Sequence, residues 1–307
     1  MNKIIIDCDP GVDDAIAILL ALATPDLKVM GITTISGNLD LNTVLSNAKD
    51  ILALASRSDI PLARGCDRPL MSKSSIKTNV HGDDGLAGIG LKKSIAPDYK
   101  EHAIDLIINT VMSNPGEITL CAIGPLTNIA MALIKEPEII THVKDIVVMG
   151  GAAFCPGNIT PSAEFNFYVD PHAAHIVFDT ARHITMVGLD VTHKVDIRDG
   201  LYEQLSGGGE ISKLVAEMSI RYAHNDPFLH DPCAIAYLIE PDIFSSVNAY
   251  VDIEFESKKL RGLSQATIVN DAYSKKNITN KNITTIITDV QTGKLMSLIS
   301  NKINNIT

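Results

Sequence analysis

The sequence predicts an α/β protein: an open, mostly parallel central sheet with helices on both faces and additional antiparallel strands near the C-terminus. Three observations carry that prediction. Apolar, β-branched runs alternate with segments of helical spacing over most of the chain. Strand-like runs end in small or polar residues, as at Gly37-Asn38, Gly124-Pro125 and Gly150-Gly151. Towards the C-terminus the strand-like runs have short connections, which suits antiparallel additions.

In order, Ile4-Ile5-Ile6 reads as a buried strand, Pro10-Gly11 as a tight turn and Ala15 to Ala23 as the start of an apolar helix. Val29 to Ser36 is a second strand, and Leu41 to Ala55 has helical spacing. Ile118 to Ile123 and Asp145 to Met149 are strands, with a helix from Leu126 to Ile134 between them. Ala173 to Asp179 is helical, Ile184 to Leu189 a strand, and Glu210 to Tyr222 a helix, with another after Pro232. Ala249 to Glu256, Ala266 to Val269 and Thr284 to Thr288 supply the late strands. Lys275 to Asn282 reads as an exposed loop. Two further loops, Met71 to Gly90 and Ala223 to Asp231, lack periodicity and carry His and Asp, as loops that close over ligands often do. Polar groups at the ends of parallel strands share one sheet edge, so distant segments can meet in one pocket there.

Composition narrows the function. The 307 residues are 46% hydrophobic and 20% charged, which suits a globular chain with a large core. No linker or repeat divides it, so a single domain over residues 1–307 is expected. The net charge of −10 argues against general affinity for nucleic acid or anionic membrane. No apolar run approaches the ~18 residues of a membrane span. The chain enters a strand almost at once, which predicts no signal peptide. Five scattered cysteines without a CxxC pair predict a reduced, cytoplasmic protein. The Asn-x-Thr triplets at Asn158, Asn277, Asn282 and Asn305 are then chance matches, and the cysteines are packing residues.

The chemistry concentrates in Asp7, Asp9, Asp13 and Asp14, at a strand end and a helix start. Two unit charges ~4 Å apart repel by about 4 kcal/mol at an effective dielectric near 20. A helix N-terminus offsets only about 0.3–1 kcal/mol per carboxylate. A bound cation offsets the rest, and oxygen donors without nearby Cys or His favour Ca²⁺ or Mg²⁺ over zinc. The plainer alternative is one capping aspartate with the others solvated. Asp231, before Pro232, reads as a helix N-cap whose spare oxygen is compatible with metal. His230 and His81, each taken alone, are more often satisfied polar residues than catalysts. Asn158 to Asn166 gathers two amides and Glu164, groups suited to a polyhydroxylated ligand or to a hydrogen-bonded loop.

The motifs DCDPGVDDA, Gly37-Asn38, HGDDG, GPLTN, VMGG, GNITPSAEFN and HDP occur together and in that order. This ordered set, running nearly end to end, strongly resembles the nucleoside hydrolase family of the inosine-uridine-preferring type. The resemblance implies an open, Rossmann-like α/β core with a deep pocket at the strand C-terminal ends. It implies hydrolysis of the N-glycosidic bond of a ribonucleoside to free base and ribose. It also implies a tightly bound Ca²⁺ that chelates the ribose 2′- and 3′-hydroxyls and a water. The implied ligands are Asp9, Asp14, Asp231 and the backbone carbonyl of Ile123, with Asp9 also the general base for the attacking water. Asp13 and Asn38 match ribose-binding positions. Asn158, Glu164 and Asn166 match groups that hold the 3′- and 5′-hydroxyls, and Met149 matches an apolar contact under the sugar. Asp7 matches a carboxylate behind the ligands that need not touch metal. His230 matches the position for leaving-base contact and proton donation, and His81 a loop histidine that meets the base in some members. Members are commonly homodimers or homotetramers. Those roles suit an oxocarbenium-like transition state, whose positive charge nearby carboxylates stabilise.

The base pocket departs from the commonest family pattern. Residues 222–229, before the HDP motif, are fewer than in many relatives. If about four residues are missing, Met218 and Tyr222 take the base-facing i, i+4 positions. Tyr222 then stacks on a purine or donates to it. Other gap placements put other residues there, which leaves purine and pyrimidine both open; His224 is a candidate for the rim. Two alternatives come from other classes. Asp7-Cys8-Asp9 resembles the DxD start of Mg²⁺-dependent phosphatases, although Gly11 stands where those usually carry Thr or Val. A nucleoside-binding protein without catalysis is the other, and it is disfavoured because Asp9, Asp14, Asp231 and His230 are all present.

Overall fold

The computed structural model describes residues 1–307 except 75, 97, 98, 271, 278–281 and 307. The strands are β1 (Asn2–Cys8), β2 (Leu27–Thr34), β3 (Leu62–Arg64), β4 (Ile118–Ala122), β5 (Asp145–Met149), β6 (Ile184–Val187), β7 (Phe244–Ile253), β8 (Ser264–Ile268) and β9 (Thr284–Val290). The helices are α1 (Val12–Leu22), α2 (Leu41–Leu54), α3 (Ala103–Ser113), α4 (Thr127–Lys135), α5 (Ile139–His142), α6 (Phe165–Val169) and α7 (Pro171–Thr180). They continue with α8 (Leu189–Thr192), α9 (Leu201–Ser206), α10 (Glu210–Tyr222), α11 (Asp231–Ile239), α12 (Ala272–Asn277) and α13 (Thr292–Asn304). Among the described residues no helix is long and apolar enough to cross a membrane.

Among the described residues, nine strands join one sheet in the order β3-β2-β1-β4-β5-β6-β9-β7-β8. Strand pairing is parallel from β3 to β9. After β1 the chain winds to one side through β2 and β3, then returns to build the other side from β4. The gap between the carboxyl ends of β1 and β4 is therefore a topological switch point, where open α/β sheets form a crevice.

Alternation along the central strands sorts the core into two layers. Ile4, Ile6 and Cys8 of β1, Cys121 of β4 and Val147 and Met149 of β5 face the layer built with α1, α11 and α13. Ile5, Leu120, Ala122, Ile146 and Val148 face the layer built with α3, α4 and α7. Helix α1 is buried along ten consecutive residues, Val12 to Ala21, and packs against α11. Burying each of Ile16, Ile18, Leu19 and Leu20 contributes roughly 1.5–3 kcal/mol, so the start of α1 is firmly placed.

The antiparallel additions expected near the C-terminus are present among the described residues: β7 is reversed, pairing antiparallel with β8 and β9, while β9 is parallel to β6. The short connection from β7 to β8 forces that reversal, whereas β9 follows a crossover through α12. Strand β7 also begins at Phe244, five residues before Ala249. The expected loop from Lys275 to Asn282 is helical at its start, where α12 runs to Asn277; residues 278–281 lie outside the described residues.

Candidate active site

The floor of the site grows from the end of β1. Asp7 Oδ1 accepts hydrogen bonds from the Thr33 hydroxyl and, at 2.8 Å, from Asn128 Nδ2, which ties β1 to its neighbours. Burial pushes the Asp7 carboxyl up to about 7, against those two bonds. Asp14, in the first turn of α1, reaches back to the Gly11 amide at 2.9 Å and the Asp9 amide at 3.1 Å. It satisfies amide groups that a helix start leaves open. Asp9 Oδ2 accepts from the Asn38 amide at 2.6 Å, while Oδ1 is buried with no hydrogen-bond partner among the described residues. The chain packs tightly there. A Cβ at Gly37 would stand 2.1 Å from one Asp9 oxygen, and a Cβ at Gly124 2.5 Å from the other.

The packing of α11 on α1 delivers Asp231 to this floor. Asp13, Asp14 and Asp231 each offer an oxygen within 4.8 Å of the others, and all three are buried. Asp231 is the first residue of α11; His230 holds the capping position, and no side-chain cap bond forms. The expected N-cap role of Asp231 is thus corrected: the carboxylate turns towards the acidic group. Burial first, then mutual repulsion, raises the carboxyls of Asp9, Asp14 and Asp231; Asp14 reaches about 7 and the other two rise well above their usual range. Such groups are ionised together in a dry site only when a cation compensates them. The partnerless Asp9 Oδ1 and the oxygen-only donor set fit a hard divalent ion. Cys8 is no rival ligand, since burial raises its thiol and it hydrogen-bonds to the Thr33 carbonyl.

The Asp9 carboxylate sits beside this trio, and Asp13 occupies a place in it. Asp9 and Asp14 lie beneath the cleft, while the other eleven predicted site residues line it: Asp13, Asn38, His81, Ile123, Met149, Asn158, Glu164, Asn166, Tyr222, His230 and Asp231. The cleft encloses ≈ 610 Å³ with its mouth, within the range of small-molecule sites.

The amides above the floor are already engaged. Asn38 Nδ2 donates to the Asp9 carbonyl at 3.2 Å and to Asp14 Oδ2 at 3.3 Å. Asn166 Nδ2 donates to the carbonyls of Ile123 and Met149, at 3.1 and 3.2 Å, and so bridges β4 and β5. Glu164 caps α6: its oxygens accept from the amides of Asn166, Phe167 and Gly151. Asn158 Oδ1 accepts from the Phe165 amide at 3.0 Å, holding the loop against α6.

The far wall comes from loops. His81 Nδ1 accepts from the Val12 amide at 3.2 Å, so a residue from a distant loop helps cap α1. Burial lowers its pKa, and an imidazole that accepts at Nδ1 is neutral with its proton on Nε2. The His81 ring stacks on Tyr222, with centroids 5.2 Å apart. Arg221 donates to the carbonyls of Ala87 and Gly88, and Asn225 Nδ2 to that of Val80, which clamps the loop onto the end of α10. His230 differs from His81. Burial pushes its pKa down, but the Asp226 hydrogen bond and the charges of Asp226, Asp13 and Glu164 outweigh that and raise it.

Two proposed pocket residues fall elsewhere. Met218 is fully buried in the core and does not line the cleft, so Tyr222 alone of that pair faces it. His224 is exposed, its Nδ1 2.9 Å from the Ile220 carbonyl, and it does not reach the rim. The sequence reading missed Asp226, Thr78, Val80, Ile159 and Phe165, which also line the cleft. Asp226, four residues before His230 in an acidic, Pro-containing turn, carried the one usable signal.

An α/β protein with a carboxylate-floored cleft at the carboxyl edge of its sheet is the class that fold and site define. Comparison with known proteins narrows it. The family model for the inosine-uridine preferring nucleoside hydrolase matches residues 4–297. A pyrimidine-specific ribonucleoside hydrolase RihA of Salmonella gallinarum is 40% identical over 310 residues, covering 98% of this chain and 97% of that protein. Among solved structures, the plant nucleoside hydrolase PpNRh1 superposes with a TM-score of 0.92 at 33% identity, covering 99% of both chains. A purine-preferring ribonucleoside hydrolase from Gardnerella vaginalis superposes with a TM-score of 0.90 at 28% identity, again covering 99% of both chains. The chain belongs to the inosine-uridine preferring nucleoside hydrolase family and is a hydrolase acting on N-glycosyl compounds.

Proposed function

We propose that the protein hydrolyses ribonucleosides to free base and ribose with a Ca²⁺ ion in the acidic floor. The observation that carries this reading is the convergence of three buried carboxylates from opposite ends of the chain beneath a cleft lined with amides. Asp14, Asp231 and Asp9, with the Ile123 carbonyl at the strand end, would hold the ion, and Asp13 stands close enough to join them. When bound, Ca²⁺ grips vicinal hydroxyls and lowers the pKa of water. Asp9 accepts the proton of the attacking water; its free oxygen and its fixed position on Asn38 suit that task. Asn38, Asn158, Asn166 and Glu164 orient the sugar, and Met149 lies beneath it. Glu164 remains an anion-bearing cap whose charge faces the oxocarbenium-like sugar.

The leaving base needs a proton, and the two histidines are unequal candidates. His81 is neutral, a hydrogen-bond donor rather than an acid. His230, which lines the cleft and is hydrogen-bonded at both ring nitrogens, is the group we assign to leaving-base protonation. Tyr222 and His81 stack on one another in the cleft wall, and aromatic faces there suit either a purine or a pyrimidine. The phosphatase reading loses support, since among the described residues the cleft gathers amides and carboxylates and no Lys or Arg that would receive a phosphate.

Released ribose, measured across inosine, uridine, cytidine and adenosine with calcium supplied, tests the proposal. Turnover of at least one is expected; no turnover of any would overturn it.

A further inference from the structure

His230 is held at both ring nitrogens. Thr192 Oγ1 lies 2.8 Å from Nδ1 and Asp226 Oδ2 lies 3.2 Å from Nε2. Asp226 also lines the cleft, so this contact sits at the wall where the base would rest. The carboxylate is itself fixed. Its Oδ1 accepts from the Phe228 amide at 2.9 Å, and its own amide donates to the Tyr222 carbonyl at 3.0 Å. The neighbouring imidazole of His193 stands edge-on to His230, with centroids 5.7 Å apart.

We propose that Asp226 is the positioning residue for the leaving-base donor, holding the His230 ring plane and keeping a hydrogen on Nε2, the nitrogen that faces it. The inference rests on the reading of His230 as that donor. The physical reason is which ring nitrogen is held with a hydrogen to give. Thr192 offers a hydroxyl, which donates or accepts equally well and so leaves Nδ1 undetermined. A carboxylate only accepts, so the nitrogen facing it carries the hydrogen. Of the other carboxylates around His230, Asp13 belongs to the acidic trio, and Glu164 is bonded to three backbone amides. Among the described residues, Asp226 is the carboxylate bonded to this ring.

The step balances without a further reactant. The C1′–N bond breaks and its electron pair goes to the base. The base takes the Nε2 proton of the His230 imidazolium, which is left as neutral imidazole, and water adds to C1′ while Asp9 accepts its proton. Asp226 keeps its charge throughout and acts through His230. The Asp9 proton and the vacancy on His230 are then restored by exchange with solvent.

The test compares Asp226→Asn, Asp226→Glu and His230→Ala on a natural nucleoside and on 4-nitrophenyl riboside, whose leaving group departs as a stable anion and needs no acid. An amide whose oxygen keeps the Phe228 bond presents N–H to Nε2 and disfavours a hydrogen there. For Asp226→Asn, kcat on the natural nucleoside is expected to fall about 10²-fold, within the range for lost acid assistance. KM should change little, and kcat on the nitrophenyl riboside should stay near wild type. Asp226→Glu, which keeps the acceptor, should recover part of the loss. Equal losses on both substrates, a change confined to KM, or wild-type kcat would each overturn the inference. His230→Ala separates the two claims. If it discriminates between the substrates while the Asp226 variants do not, only the positioning role fails. If His230→Ala also loses equally on both, the donor reading fails and the inference with it.

Discussion

The two ends of the cleft are built differently. Its floor rides on strand ends and first helical turns: Asp9 after β1, Asp13 and Asp14 in α1, Ile123 after β4, Met149 at the end of β5 and Asp231 at the start of α11. Its wall hangs on connections: His81 in a long loop, Asp226 in a turn, with Tyr222 at the last position of α10. The floor is fixed by the core, and its polar groups bond mainly to one another and to nearby backbone. The wall is fixed by a few long-range clamps, such as Arg221 on Ala87 and Asn225 on Val80. On the proposed reading, the groups that would hold the ion and activate water are anchored to the sheet, while those that would meet the base sit on loops and a helix end.

Losses should follow that division. Asp9→Asn removes the base while keeping shape and amide bonding, and turnover should fall by about 10⁴-fold, the upper end for a lost general base, with an unchanged fold by circular dichroism. Near-normal turnover would move the base elsewhere on the floor. His230→Ala is predicted to cost about 10²–10⁴-fold on natural nucleosides and far less on an activated leaving group. Comparable losses on both substrates would place His230 among the structural residues.

The floor also predicts an unusual pH response in the cation-free protein. Asp7 and Asp14 sit at about 7 in the folded state, against a usual 3.8. Their folded pKa is raised, so the folded state holds protons that the unfolded chain has released. Stability is then fully present below about pH 4 and falls as pH rises through about 7. After chelation, Tm should drop by on the order of several degrees between about pH 5 and about pH 8. Added Ca²⁺ should restore more at the higher pH, because it stabilises the ionised carboxylates. A chelated protein whose Tm rises across that range would contradict the assignment. The smallest effect belongs to the wall: Arg221→Ala loosens the loop clamp and should raise KM about threefold with little change in kcat.

The same division explains what the sequence made legible. Strand cores such as Ile4 to Ile6 and Asp145 to Met149 announce themselves by composition, and polar residues directly after them inherit a known place at the sheet edge. Asp9, Asp13 and Asp14 could therefore be read together. Asp231 needed the packing of α11 on α1, a long-range contact that spacing does not encode, and resemblance supplied it. The wall was less legible. Met218 and Tyr222 have the same helical spacing to offer, yet only the tertiary packing of α10 decides that Met218 turns into the core. The partnership of Asp226 with His230 depends on a turn shape set by the Phe228 and Tyr222 backbone groups. The antiparallel pairing of β7, by contrast, was legible in the short connections between the late strands.

The account rests most directly on the ion. Calorimetric titration of Ca²⁺ into chelator-stripped protein should show one tight site per chain, and the same titration of Asp231→Asn should show that site lost or greatly weakened while the variant stays folded. No uptake by the wild-type protein, or uptake indifferent to Asp231, would contradict it.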